Sequence, residues 1–132
     1  MSLDMLKSYL AGWAKTCRAT PQSIEAMVAG AHPDIRFNDV NSPNVHEGHE
    51  GIRRVCALGT GKYSDVEVSW GDLLCDGTNW SIRWTFSATA PDGKPFSARG
   101  ASAGRLAADG RVIEQTDYWS RATAFATHGV TA

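Results

Sequence analysis

Three Asp-Gly pairs, Asp76-Gly77, Asp92-Gly93 and Asp109-Gly110, punctuate the second half of the chain. Aspartate and glycine tolerate the positive backbone angles of tight hairpin turns. The stretches between them are too long for loops and alternate in character, as half-buried strands do. From Asp65 onward Val66, Val68 and Trp70 alternate with Glu67 and Ser69, and residues 79–90, 95–106 and 110–120 follow. Strands linked by such turns make an antiparallel meander of four. A sheet of this kind must bury one face, so the first half of the chain is expected to cover it.

That half has helical spacing. Leu3, Leu6, Leu10, Trp13 and Cys17 recur at three- and four-residue steps, with Tyr9 beside the stripe. Thr20-Pro21 reads as a helix start, because threonine caps and proline suits the first turn. Ile24, Met27 and Val28 point this second helix inward, and Gly30 and Pro33 end it. Residues 35–39 form a short strand with Ile35, Phe37 and Asp39 on one side. Residues 41–48 read as a loop, and a third helix over 49–58 buries Ile52, Val55 and Cys56, closed by Gly59 and Gly61. The expected fold is α+β: a cone-shaped, curved antiparallel sheet wrapped around three helices from the N-terminal half. Small residues over 95–106 permit the bend. The 132 residues suit one domain spanning 1–132. The stretch after Trp119 has little to fix it beyond Phe125 and is expected to fray.

Composition narrows the partners. A net charge of -1 without a basic tract argues against nucleic acid. No run of about eighteen apolar residues exists to span a membrane, and the N-terminus lacks a secretory pattern, so a cytoplasmic location is expected. Cys17, Cys56 and Cys75 are odd in number and widely spaced, which points to free thiols. No metal is expected: His46-Glu47-Gly48-His49-Glu50 does not match the helical zinc pattern, since its histidines are three apart. His46 instead stands at the expected cavity mouth, suited to shuttling protons.

The chemistry is expected on two strands. In the last, Ile113, Gln115, Asp117 and Trp119 share a face, placing a carboxylate between an amide and an indole. In residues 79–90, Ser81, Arg83 and Thr85 share one face and Trp80, Ile82, Trp84 and Phe86 the other. If the polar face meets Asp117, Arg83 and Asp117 look into one space. There burial raises the acid's pKa and the guanidinium lowers it; the alternative is a salt bridge that only anchors the sheet. Asp39 is a second acid, at the end of an apolar strand face; its alternative is a strand end at a solvated loop. Trp13, Phe37, Trp70 and Trp119 are the candidate walls of an apolar pocket. The aromatic face with Trp80, Trp84 and Phe86 would be left uncovered, which predicts a homodimer through it.

The order helix, helix, strand, helix, meander, closing on Gly110-Arg111-Val112 and Tyr118-Trp119-Ser120, resembles the SnoaL-like group of the nuclear-transport-factor-two-like superfamily. Asp39 ahead of Gly48 and Glu50-Gly51-Ile52, and Trp84 after Arg83, carry the rest of the resemblance. It covers about Tyr9 to Trp119. Its ketosteroid isomerase members imply Asp39 as a general base, with Trp13 and Ser102 where that enzyme has its oxyanion donors. Its limonene epoxide hydrolase members imply Arg83 and Asp117 around a water, with Thr85 at the remaining acid position. Its polyketide cyclases imply Asp117 as acid–base. None of these relatives needs a metal or organic cofactor. The expectation is therefore a cofactor-free enzyme acting on a small hydrophobic, carbonyl-bearing molecule by acid–base catalysis. Asp117, Asp39 and Arg83 would be catalytic, and Trp13, Phe37, His46, Trp70, Thr85, Ser102 and Trp119 would bind the ligand. The alternatives are epoxide hydrolysis, or a dimeric carrier without turnover.

Overall fold

In the computed structural model, which describes residues 3–13, 21–59, 63–120 and 122, three helices pack on one face of a seven-stranded sheet. Helix α1 (Asp4–Trp13) buries Leu6, Tyr9 and Leu10, the stripe its spacing predicts. Helix α2 (Pro21–Ala29) starts on its proline and buries Met27 and Val28. Helix α3 (Gly48–Gly59) buries Ile52 and Cys56. Arg53 on α3 reaches both carboxylate oxygens of Glu25 on α2, at 2.9 and 3.0 Å. The expected continuation of the first helix to Cys17, the Thr20 cap, Gly61, and the stretch from Phe125 onward lie outside the described residues.

The strands are β1 (Ala31–Asp39), β2 (Val45–Glu47), β3 (Ser64–Trp70), β4 (Leu74–Cys75), β5 (Asn79–Thr89), β6 (Pro95–Leu106) and β7 (Val112–Trp119). Their order is β2-β1-β7-β6-β5-β3, with β4 on β5, and the sheet does not close. The three Asp-Gly turns are present, with Gly77, Gly93 and Gly110 all at positive φ. Each aspartate folds back on its own turn: Asp76 accepts from the Thr78 and Asn79 amides, Asp92 from Lys94 and Asp109 from Arg111.

Several features depart from the sequence reading, among them the extra strand β4 on β5. The sheet is mixed rather than antiparallel, because β1 runs parallel to β7. Strand β1 begins directly after Gly30 and contains Pro33. The β1–β7 register slips between Ala31 and Arg36, where a residue without an N–H breaks no regular ladder. The segment read as a loop contains β2, hydrogen-bonded to β1. Ile113 is not on the Asp117 face: the β6–β7 register shifts between Arg105 and Leu106, and the bulge turns Val112 inward, fully buried, in its place.

The inner face of β5 is the aromatic one. Trp80 and Ile82 join the main core, while Trp84 and Phe86 pack with Phe96, Ala98 and Trp119 in a second cluster. Ser81, Arg83, Thr85 and Ser87 alternate with them and face the other way. The aromatic face invoked for a dimer is thus the one beneath the helices, and it gives no reason for a second subunit. Among the described residues, no helix is long and apolar enough to cross a membrane.

Candidate functional site

The curved sheet and helices α1 and α3 enclose a hollow of about 390 Å³. Because inward side chains alternate along each strand, its walls come in pairs: Val68 and Trp70 from β3, Trp84 and Phe86 from β5, Phe96 and Ala98 from β6. Trp13 from α1 stacks on Phe37 of β1, centroids 5.0 Å apart. Phe96 meets Phe86 and Trp119 edge-on at 6.0 and 6.2 Å. Trp70, 36% exposed, forms part of the rim.

Strand register brings the polar groups together. Asp39 is the direct partner of Asp117 across the parallel β1–β7 pair, and Asp117 is the direct partner of Ser102 across β7–β6. Directly paired residues point to the same side of a sheet. The three therefore stand in a row inside the hollow.

A one-way chain of donors ends on one carboxylate oxygen. The Ser102 hydroxyl donates to Asp117 Oδ1 at 2.6 Å, and having spent its proton it accepts from Trp84 Nε1 at 2.9 Å. From the other side, the Gln115 amide donates to the same Oδ1 at 2.9 Å, while its own oxygen accepts from the buried Tyr9 hydroxyl at 2.6 Å. Burial holds the Tyr9 phenol well above its ordinary pKa, so it remains a donor. Asp117 Oδ2 has no hydrogen-bond partner among the described residues. Asp39 accepts from Trp119 Nε1 at 2.8 Å and from the Asn41 amide at 2.8 Å.

Loss of water around Asp117 pushes its pKa up to about 6. The hydrogen bonds from Ser102 and Gln115 pull it down, and the charge of Asp39 adds to the rise. Such a carboxyl changes protonation state near neutrality, as a general acid or base requires.

Of the residues picked out from sequence, Asp117, Asp39, Trp13, Phe37, His46, Trp70, Ser102 and Trp119 all line the hollow. Arg83 and Thr85 do not. Ile82 is the partner of Ser102, and so continues the row of Asp117; Arg83 pairs with Ala101 and is exposed on the opposite face. Its proposed pairing with Asp117 is therefore corrected. The His46–Glu50 run scatters. His46 faces the hollow beside Phe37, its Nδ1 buried without a partner among the described residues. His49 donates to the Ala31 carbonyl at 2.7 Å, and Glu50 pairs with Arg53.

Three members of the hydrogen-bond network lie outside the site residues expected from sequence. Gln115 shares the alternation of Asp117 and was visible on that face. Trp84 was assigned to the wrong side. Tyr9, 106 residues from Gln115, left no local signal.

Comparison with known proteins places this architecture. No curated protein matches the chain. Solved structures do, at identities that speak for the fold alone. An NTF2-like protein of unknown function from Exiguobacterium sp. is 16% identical, with a TM-score of 0.74 over 89% of this chain and 98% of that one. A hypothetical protein with a ketosteroid isomerase-like fold from Catenulispora acidiphila, in complex with trimethylamine, is 19% identical, with a TM-score of 0.76 over 92% of each chain. SalBIII, an epoxide hydrolase/cyclase-like enzyme in pyran ring formation in polyether salinomycin, is 15% identical, with a TM-score of 0.70 over 92% of this chain and 93% of that one. The sequence pattern of the SnoaL-like domain matches residues 8–115, most of the chain, and the protein belongs to that family.

Proposed function

We propose that the protein is an enzyme that moves protons on an apolar, carbonyl-bearing small molecule, with Asp117 as the acid–base group and no cofactor. The observation that carries this reading is the inequality of the two Asp117 oxygens. Oδ1 is anchored by Ser102 and Gln115, which fixes the carboxyl in place. Oδ2 is left without a partner among the described residues, on a side chain that lines an apolar hollow. In the step envisaged, a C–H bond beside the carbonyl breaks. Its proton passes to Oδ2, and its electron pair moves into the enolate. The proton then returns at another carbon, or the enolate carbon attacks a second carbonyl and closes a ring, the carbonyl's π pair becoming an alkoxide that takes the proton back from Oδ2. Asp39, held alongside by Trp119 and the Asn41 amide, is the second group able to exchange a proton with the substrate.

Epoxide hydrolysis has less support. A cation set between the acids is the part the resemblance assigned to Arg83, and Arg83 faces outward. The part of SalBIII, on the same fold, in pyran ring formation favours cyclisation as the wider class.

The test is deuterium uptake at the carbon beside the carbonyl of an aryl ketone such as tetralone, followed by NMR. The expected outcome is uptake with the native protein and its loss, by about a hundredfold or more, in Asp117→Asn, with the fold intact by circular dichroism. Equal uptake in both would remove Asp117 from the chemistry.

A further inference from the structure

The charges in the hollow do not balance. Asp39 and Asp117 are paired residues on neighbouring strands, and both line the hollow. Among the described lining residues there is no lysine or arginine; His46 is the one side chain there able to carry a positive charge. His46 stands against Phe37 with its Nδ1 buried, and makes no described hydrogen bond to either acid. Arg83, the cation expected from sequence, lies on the outer face. Two carboxylates close together in an apolar surround repel each other unless a cation or a proton intervenes.

The walls around these acids suit a cation. Trp119 donates to Asp39, which brings its indole beside that carboxylate, and Trp84 donates to Ser102 next to Asp117. Both indoles also form part of the wall of the hollow. The face of an indole is the best aromatic partner for an ammonium group, and the attraction grows where water is excluded. A ligand bearing a carboxylate or phosphate would meet two like charges and no described arginine or lysine.

We propose that the substrate of this hollow is an apolar molecule carrying a basic nitrogen, whose ammonium group lodges beside Asp39 and Asp117 among the indoles of Trp84 and Trp119. This rests on the proton-transfer reading and names its substrate class. It also supplies what that chemistry needs. A positive nitrogen close to the reacting carbon offsets the negative charge of an enolate, the task a resident cation would otherwise perform.

Three probes with one skeleton test it: phenylpropylamine, phenylpropanol and phenylpropanoate, titrated into the intact protein by calorimetry at neutral pH. The expected order is the amine tightest, by about tenfold or more over the alcohol, and the acid weakest. In the double variant Asp39→Asn with Asp117→Asn, the amine should bind no more tightly than the alcohol. Circular dichroism serves as the folding control. Alcohol binding as tight as the amine's in the native protein would overturn the inference and leave the proton-transfer reading intact. Failure of all three to bind the folded protein would overturn both.

Discussion

Asp117 owes its raised pKa to its surroundings. Its folded pKa of about 6 lies above the ordinary carboxylate value, so the folded state holds a proton that the unfolded chain has already lost between about pH 4 and 6. Stability from this group is fully present below the unfolded pKa and is lost as pH rises through about 6. Asp117→Asn should therefore be more stable than the native protein at pH 8, by on the order of 2 kcal/mol. The difference should shrink toward zero near pH 4, as read by urea denaturation across that range. Activity should run the other way: proton abstraction needs the carboxylate, so kcat/KM rises with pH through about 6. Ser102→Ala removes a donor that favours the charged form. Its pH profile should shift to higher pH, and a profile that stays in place would separate Ser102 from the tuning of Asp117. The acid face was legible at this scale because alternation within one strand is local. Arg83 was not, because which face of β5 meets β6 depends on register, and one residue of slip exchanges the two faces.

Strand β6 shows the same contrast between local and distant information. Its small residues were legible as a place where the sheet bends, but the reason they must be small lies in the neighbouring strands. A Cβ on Gly104 would stand 1.7 Å from the Glu114 carbonyl oxygen, and one on Gly100 would stand 2.4 Å from that of Tyr118 and 2.8 Å from the Trp84 ring. Backbone cannot yield as a flexible side chain can, so Gly104→Ala should cost about 3 kcal/mol or more, measured as a fall in the urea midpoint. A loss within a few tenths of a kcal/mol would mean that β6 and β7 part more easily than this packing implies. The Asp-Gly turns and the helical stripes carried their elements plainly, because turn chemistry and periodicity act over a few residues. Strand β2 did not: three residues after a Ser42-Pro43-Asn44 stretch have no period to read, and only hydrogen bonds to β1 make them a strand.

Across the whole molecule, sheet position sets the expected hierarchy of local stability. Strands β6 and β7 have hydrogen-bonded neighbours on both sides, whereas β2 sits at an edge. Amide hydrogen exchange should be slowest in β6 and β7 and fastest in β2; comparable rates in β2 and β7 would contradict this order. The parallel union of β1 with β7 has a further result. It joins partners such as Asn38 and Thr116, 78 residues apart. Asp39 precedes Asp117 in synthesis, and β7, which alone joins β1 to β6, is made after the helices and the other six strands. The facing of the two acids therefore waits on the strand that joins the two halves of the sheet.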